Sequence, residues 1–284
     1  RQMCIRDRQL ILSIDSSIST FVLVPVPMFI LMGTVIFHSG IAYRMIDVLD
    51  EWLGRIAGRL ALLAIGAGSL FGTLTGVAMG SVAMLGSTLV PDMERRGYSK
   101  SMSIGPILAS GSLAIMIPPS ALGVILASMG QFSVGKLLIG ILLPGLLLAV
   151  VYATYVVIRC HIQPHLAPAY EVVPTPIGPR IMRTLQYVLP LVIIIGIVIG
   201  TIFAGVATPT EAAALGALFC FLLVACYGKL TWQVIKKSVA AATTISVMVF
   251  VILTGSAAFS QILAFTGITV GITELALAWS EHPI

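Results

Sequence analysis

The sequence predicts an all-α polytopic membrane protein, on three observations. Only 10% of the 284 residues are charged and 58% are hydrophobic, against about 25% charged residues in an average soluble domain. The apolar runs are continuous rather than alternating, which excludes a membrane barrel and leaves helices. Within residues 101–129, long and apolar enough to cross a bilayer, Pro118-Pro119-Ser120 lies deep inside. Proline removes a backbone donor and clashes with the preceding turn. In lipid such a break is tolerated only inside protein or beside a water-filled cavity, and broken spans are where secondary transporters bind substrate and coupling ions.

Apolar segments fall at 20–42, 60–90, 101–129, 137–158, 184–205, 210–227 and 239–264, with a last stretch to about 279. At about 20 apolar residues per crossing, roughly six to eight spanning or re-entrant segments fit. Residues 1–19 are set apart as doubtful, because the polar start Arg1–Arg8 resembles translated adapter sequence. Residues 20–59 read as a spanning helix followed by an interfacial one. In the charged stretch 43–59, Met45, Ile46, Leu49, Trp52 and Leu53 recur near helical spacing, as in a helix lying along the membrane surface.

The stretch 60–90 carries Gly66, Gly68, Gly72, Gly76, Gly80 and Gly86. It fits one tilted helix or two half-length helices forming a re-entrant hairpin. With a hairpin, loops 43–59, 91–100, 159–183 and 228–238 share one side. Those loops hold twelve Lys and Arg, the opposite loops only Lys136, as the positive-inside rule requires. With one crossing only loop 43–59 changes side, and its three cations join Lys136 against nine, so the count favours the hairpin. Trp52, Tyr155, Tyr187, Tyr227 and Trp232 fall near the inferred cytoplasmic edges, where aromatic belts form.

The region 60–130 is therefore read as a hairpin and broken helix. Residues 131–238 supply further spans around an irregular connector at 159–183, which carries five prolines. Residues 239–284 begin a second repeat, on a faint echo of Met28–Gly33 and Ser39–Ile41 in Phe250–Gly255 and Thr266–Ile268.

Three constellations carry candidate chemistry. At the hairpin tip, Thr75, Gly76, Val77 and Ser81 sit where half-helix ends aim amides or carbonyls, which suits a carboxylate or a cation. The competing reading is small-residue helix packing, since Gly68, Gly72, Gly76 and Gly80 recur at i, i+4. At the second break, Ser110, Gly111, Pro118, Pro119 and Ser120 mark a discontinuity, against a simple proline kink. Thr208-Pro209-Thr210-Glu211 reads first as a capping box, with Pro209 at the first helical position; an acid near a membrane edge can also join an ion path. His38 and Glu274 are lone ionisable residues, read as structural. The four cysteines, Cys4, Cys160, Cys220 and Cys226, lack metal-ligand spacing, and Cys220 and Cys226 read as small apolar residues. No Ser/His/Asp set, metal cluster or Walker motif appears, so an enzyme is not expected. The net charge of +5 sits in short loops and marks topology, not nucleic-acid binding.

The order and spacing of Pro27–Gly33, Gly68–Gly72, Val90–Tyr98, Ile117–Ser120 and Ala207–Ala214 resemble the large membrane subunit of tripartite ATP-independent periplasmic (TRAP) transporters, from about residue 20 to the end. The resemblance implies a sodium-driven importer of organic acids or related anionic solutes in a bacterial inner membrane. It implies an elevator-type transport domain with two inverted hairpins, a small membrane subunit and a periplasmic binding protein as partners. Sodium is the implied coupling ion, with no organic cofactor. Thr75, Ser120 and nearby carbonyls are its implied ligands, and the first hairpin and broken helix form half of the substrate site. Many family members carry Ser-Gly-Ser-Ser at the tip, where this chain has Thr75-Gly76-Val77-Ala78. The family continues past residue 284, so a fragment with an incomplete second repeat is expected. A transporter of the same architecture working without a binding protein, or a non-transporting membrane scaffold, stands as the alternative.

Overall fold

The computed structural model describes residues 21–54, 56, 58–76, 78–168, 176–266, 268 and 271. Among them every regular element is helical. Contacts divide the chain into a unit of residues 22–243 and a second of residues 1–21 with 244–284.

Helix α1 (Pro25–His38) starts with proline in its first turn, where the missing donor costs nothing. It stops short of the 42 that the apolar pattern predicts. Gly40 takes a φ of +76°, open to glycine and costly for other residues. The chain bends there by 73° into α2 (Ile41–Trp52). Helix α2 is amphipathic, burying Ile41, Ala42, Met45 and Ile46 and exposing Arg44 and Asp47.

Two half-length helices follow, α3 (Arg59–Thr75) and α4 (Ala78–Arg95). They are separated by Gly76, whose φ of +60° ends α3 and whose N–H donates to the Gly72 carbonyl at 2.8 Å. The chain folds back: the Leu60 N–H at the start of α3 donates to the Tyr98 hydroxyl beyond α4 at 3.4 Å. Farther up, Gly68 faces the Leu85 side chain. Arg59 pins the root of this hairpin. It is 3% exposed, pairs with the Asp50 carboxylate at 2.6 Å and donates to the Gly54 carbonyl at 3.0 Å. A buried guanidinium requires such a set of partners.

The predicted broken span forms α5 (Lys100–Met116) and α6 (Ala121–Met129), bent by 48°. Helix α5 lies against both arms of the hairpin, and α1 packs on α3, α6 and the later α10. Then come α7 (Val134–Ile162), α8 (Ile177–Tyr187), α9 (Leu189–Phe203), α10 (Pro209–Cys226) and α11 (Trp232–Phe265). Four described helices are long and apolar enough to cross a membrane, taking α8 with α9 as one, and up to six if each bent pair counts as one span.

The connector is shorter than the predicted 159–183. Helix α7 runs on to Ile162, and α8 begins at Ile177. The prolines do not forbid α8: Pro176 precedes it and Pro179 lies in its first turn, where no intrahelical donor is lost. The loops counted as basic gather at one end of the larger unit. The Trp52 indole donates to the Thr184 hydroxyl at 2.8 Å, with the Arg180 guanidinium 5.5 Å from the Trp52 ring centre. The Ser99 N–H donates to the Leu166 carbonyl at 2.9 Å, Gly58 abuts Cys160, and Tyr187 stacks on Tyr227 at 5.7 Å.

Candidate functional site where two helix breaks meet

The hairpin tip and the proline break touch. The Gly76 carbonyl accepts from the Ala121 N–H at 3.3 Å. A Cβ on Gly76 would lie 3.1 Å from Ala121 N and 3.4 Å from the Pro119 carbonyl oxygen, so only glycine fits both the φ and the space. The Pro118–Pro119 bond is cis. Helix α6 opens on Ser120, whose side chain accepts from the Gly123 N–H at 3.1 Å. Four helix ends converge here: the C-termini of α3 and α5 and the N-termini of α4 and α6. Helix C-termini present carbonyls without intrahelical partners, and N-termini present amides. Their partial charges favour a cation and an anion respectively.

Thr75, Gly76, Ser81, Gly111, Pro118, Pro119 and Ser120 are all buried. The Thr75 hydroxyl donates to the Gly72 carbonyl at 3.2 Å and the Ser81 hydroxyl to the Ala78 carbonyl at 2.9 Å. A hydroxyl that donates to its own helix keeps oxygen lone pairs for a cation. Gly111 sits against Ala78 and Val82 at the start of α4. Val77 lies outside the described residues, as does Glu274.

Ser110 is placed differently. Its side chain meets Gly68, at 2.3 Å from a Cβ built there, and its hydroxyl donates to the Ile107 carbonyl at 2.7 Å. Gly72 meets Ala114 in the same way. Small-residue packing therefore explains Gly68, Gly72 and Ser110, while Gly76 belongs to the tip. Gly80 has open space around it.

Thr208, Thr210 and Glu211 form a separate feature at the start of α10. The capping box is complete: the Thr208 hydroxyl oxygen accepts from the Glu211 N–H at 3.3 Å, and the Glu211 carboxylate accepts from the Thr208 N–H at 2.7 Å. Among the described residues no hydrogen bond joins this box to the tip. His38 turns to its own helix, with Nδ1 donating to the Thr34 carbonyl oxygen at 2.8 Å.

Two contacts escaped the sequence reading. A Cβ on Gly33 of α1 would fall 2.3 Å from Thr75 Cα, so α1 backs the hairpin tip directly. Gly145, after Pro144 in α7, would place a Cβ 2.8 Å from the Met116 carbonyl oxygen, at the end of α5. Their only sequence signals were the Gly33 that closes the Pro27–Gly33 run and the Pro144-Gly145 pair.

The family description "Tripartite ATP-independent periplasmic transporter, DctM component" matches residues 5–284. The chain belongs to this family. Over 280 residues it is 31% identical to the C4-dicarboxylate TRAP transporter large permease protein DctM of Rhodobacter capsulatus, covering 93% of this chain and 62% of that protein. It is 32% identical over 257 residues to the ectoine TRAP transporter large permease protein TeaC of Halomonas elongata, covering 89% and 58%. It is 30% identical over 276 residues to the isethionate TRAP transporter permease protein DctMQ of Oleidesulfovibrio alaskensis, covering 95% and 42%. This TRAP large-permease chain thus spans at most 62% of the length of these relatives. All three are named as transporter permeases, none as an enzyme, and the substrate in their names varies.

Proposed function

We propose that this chain is the permease subunit of a sodium-coupled secondary transporter that imports organic acids or related anionic solutes. The observation that carries the proposal is the contact between Gly76 and Pro119–Ala121. Two C-terminal helix ends offer carbonyl oxygens to a hard cation, and two N-terminal ends offer amides to a carboxylate or sulfonate. The ion neutralises the carbonyls and the solute neutralises the amides, so neither is held well without the other. That mutual dependence is coupling in the thermodynamic sense.

Thr75 and Ser120 add side-chain oxygens at the two breaks, and the Thr73–Thr75 and Ala114–Met116 carbonyls, beyond the paired Gly72 and Leu113 carbonyls, supply the rest of the sodium shell. Tip residues 77 and 78 lack the hydroxyls common in the family, so backbone oxygens carry more of the coordination here. The basic edge of the molecule faces the cytoplasm of a bacterial cell, and the membrane is the inner one. An inverted second repeat completes the site, and the hairpin and broken helix move together as an elevator. A small membrane subunit and a periplasmic binding protein are the partners. The relative named DctMQ supports the former, since its name joins the two membrane components.

The test is uptake by the longer parent protein in proteoliposomes with both partners. A sodium gradient drives solute accumulation, and Thr75→Val and Ser120→Ala each raise the sodium concentration for half-maximal uptake. Sodium-independent uptake overturns the coupling. Unchanged sodium activation in both variants removes the hydroxyls from the ion site.

A further inference from the structure

A cavity away from the breaks lies between the early turns of α5 and the late turns of α7. Its volume is about 460 Å³, inside the range of roughly 300–1,000 Å³ typical of small-molecule sites. Its walls are apolar, formed by Ile65, Met102, Pro106, Ala109, Val151 and Val156. Tyr152 also lines it, with its hydroxyl 3.2 Å from the Ser112 hydroxyl; the other polar groups collect at one end, where Ser101 lies in the first turn of α5 and Tyr155 and Arg159 belong to the last turns of α7. At 1.5 Å per residue, the eight steps from Arg159 to Val151 give a groove about 12 Å deep. Gly105 makes room for it on α5: a Cβ there meets nothing within 4 Å.

The charge at the mouth identifies the occupant. None of the lining residues is acidic. Arg159 is exposed, and among the described residues its guanidinium has no hydrogen-bond or ion-pair partner. Lys100, at the start of α5, is exposed beside Ser101. The mouth lies at the end where the basic loops gather, since Cys160 next to Arg159 packs on Gly58 and Ser99 bonds to Leu166. An apolar slot entered from a basic rim at headgroup depth matches one molecule with both properties. Juxtamembrane cations attract anionic headgroups within a Debye length.

We propose that this groove binds an anionic phospholipid of the leaflet on the basic side, with one acyl chain between α5 and α7 and its phosphate on Arg159, near Lys100 and Ser101. Such a lipid wedges against α3 through Ile65 and so bears on the hairpin arm from its outer side. The proposal rests on membrane embedding alone and not on the sodium-coupled reading.

The test is native mass spectrometry of the full parent chain, delipidated in mild detergent and titrated with phosphatidylglycerol or with phosphatidylcholine. Wild-type protein is expected to take one phosphatidylglycerol about five-fold more tightly than phosphatidylcholine, the ratio one favourable surface cation supplies. Arg159→Gln erases that preference, and Gly105→Leu, which fills the slot, abolishes binding of both lipids. Arg159 is exposed, so its variant folds and carries the test if Gly105→Leu does not. Equal affinity for the two lipids, or an unchanged preference in Arg159→Gln, overturns the proposal. So does a groove covered by a later segment of the parent chain, read as no bound lipid and no reaction of Gly105→Cys with a membrane-permeant maleimide.

Discussion

Residues 59–129 and residues 134–226 are both apolar, but they are built in opposite ways. The first region uses helices of 17, 18, 17 and 9 residues, interrupted at Gly76 and at Pro118–Ser120. It buries hydroxyls: Thr73, Thr75, Ser81, Ser103, Ser110 and Ser120 are all nearly inaccessible. The second has the unbroken 29-residue α7, with exposed faces such as Leu143, Leu147, Phe203 and Leu218. In a bilayer, apolar surface only decides that a segment is embedded, because lipid tails compete on equal terms with side chains. Close approach of small residues and satisfied polar groups decide which helices stay together. The first region is held by close approach of small residues and paired hydroxyls, the second by long helices with exposed apolar faces.

Charge is the sharpest way to separate the two. Asp50 serves a buried guanidinium at the hairpin root. Asp50→Ala is expected to cost about 3 kcal/mol, the lower part of the range for stripping a partner from a buried charge, read as thermal unfolding in detergent. Arg183, paired with Glu51, is 53% exposed. Arg183→Gln should therefore cost less than about 1 kcal/mol. Equal losses would mean that the hairpin root is no more rigid than the outer helices.

Glycine substitution comes next in size. Gly33→Val drives a side chain into the Thr75 backbone, and overpacking of this kind costs about 1–3 kcal/mol, with transport lost as the tip shifts. Gly196→Ala in α9 has open space and should gain up to about 1 kcal/mol from helix propensity. Ser120→Ala removes the cap on Gly123 and should cost about 1 kcal/mol, with a shift in sodium activation that a mere cap would not produce. The smallest effect belongs to Glu211→Gln. An amide still accepts from the Thr208 N–H, so the unfolding temperature and uptake should stay near wild type. Loss of transport by that well-folded variant would give Glu211 a charge role.

Much of the first region was legible, because breaks are local chemistry. Pro118-Pro119 announces itself, as Thr208-Pro209 does in the second region, and the twelve-to-one distribution of cations favoured a fold-back at 60–90 before any geometry. The bend after His38 was hidden because a single glycine in an apolar run signals several things at once. Helix α8 was hidden by its prolines, whose effect depends on their place in the first turn rather than on their number. The meeting of Gly76 with Pro119 was implied only by the family resemblance and not by the residues themselves: it joins residues more than forty positions apart, and nothing in either segment names the other.

That meeting is the central claim, and a double-mutant cycle on sodium activation tests it most directly. Thr75→Val, Ser120→Ala and the double variant of the parent permease are compared for the sodium concentration giving half-maximal uptake. If the two breaks hold one ion, the effects are coupled, with an interaction energy of roughly 0.5–3 kcal/mol for residues sharing a partner. Strictly additive effects would place the two hydroxyls in independent environments and contradict the single site.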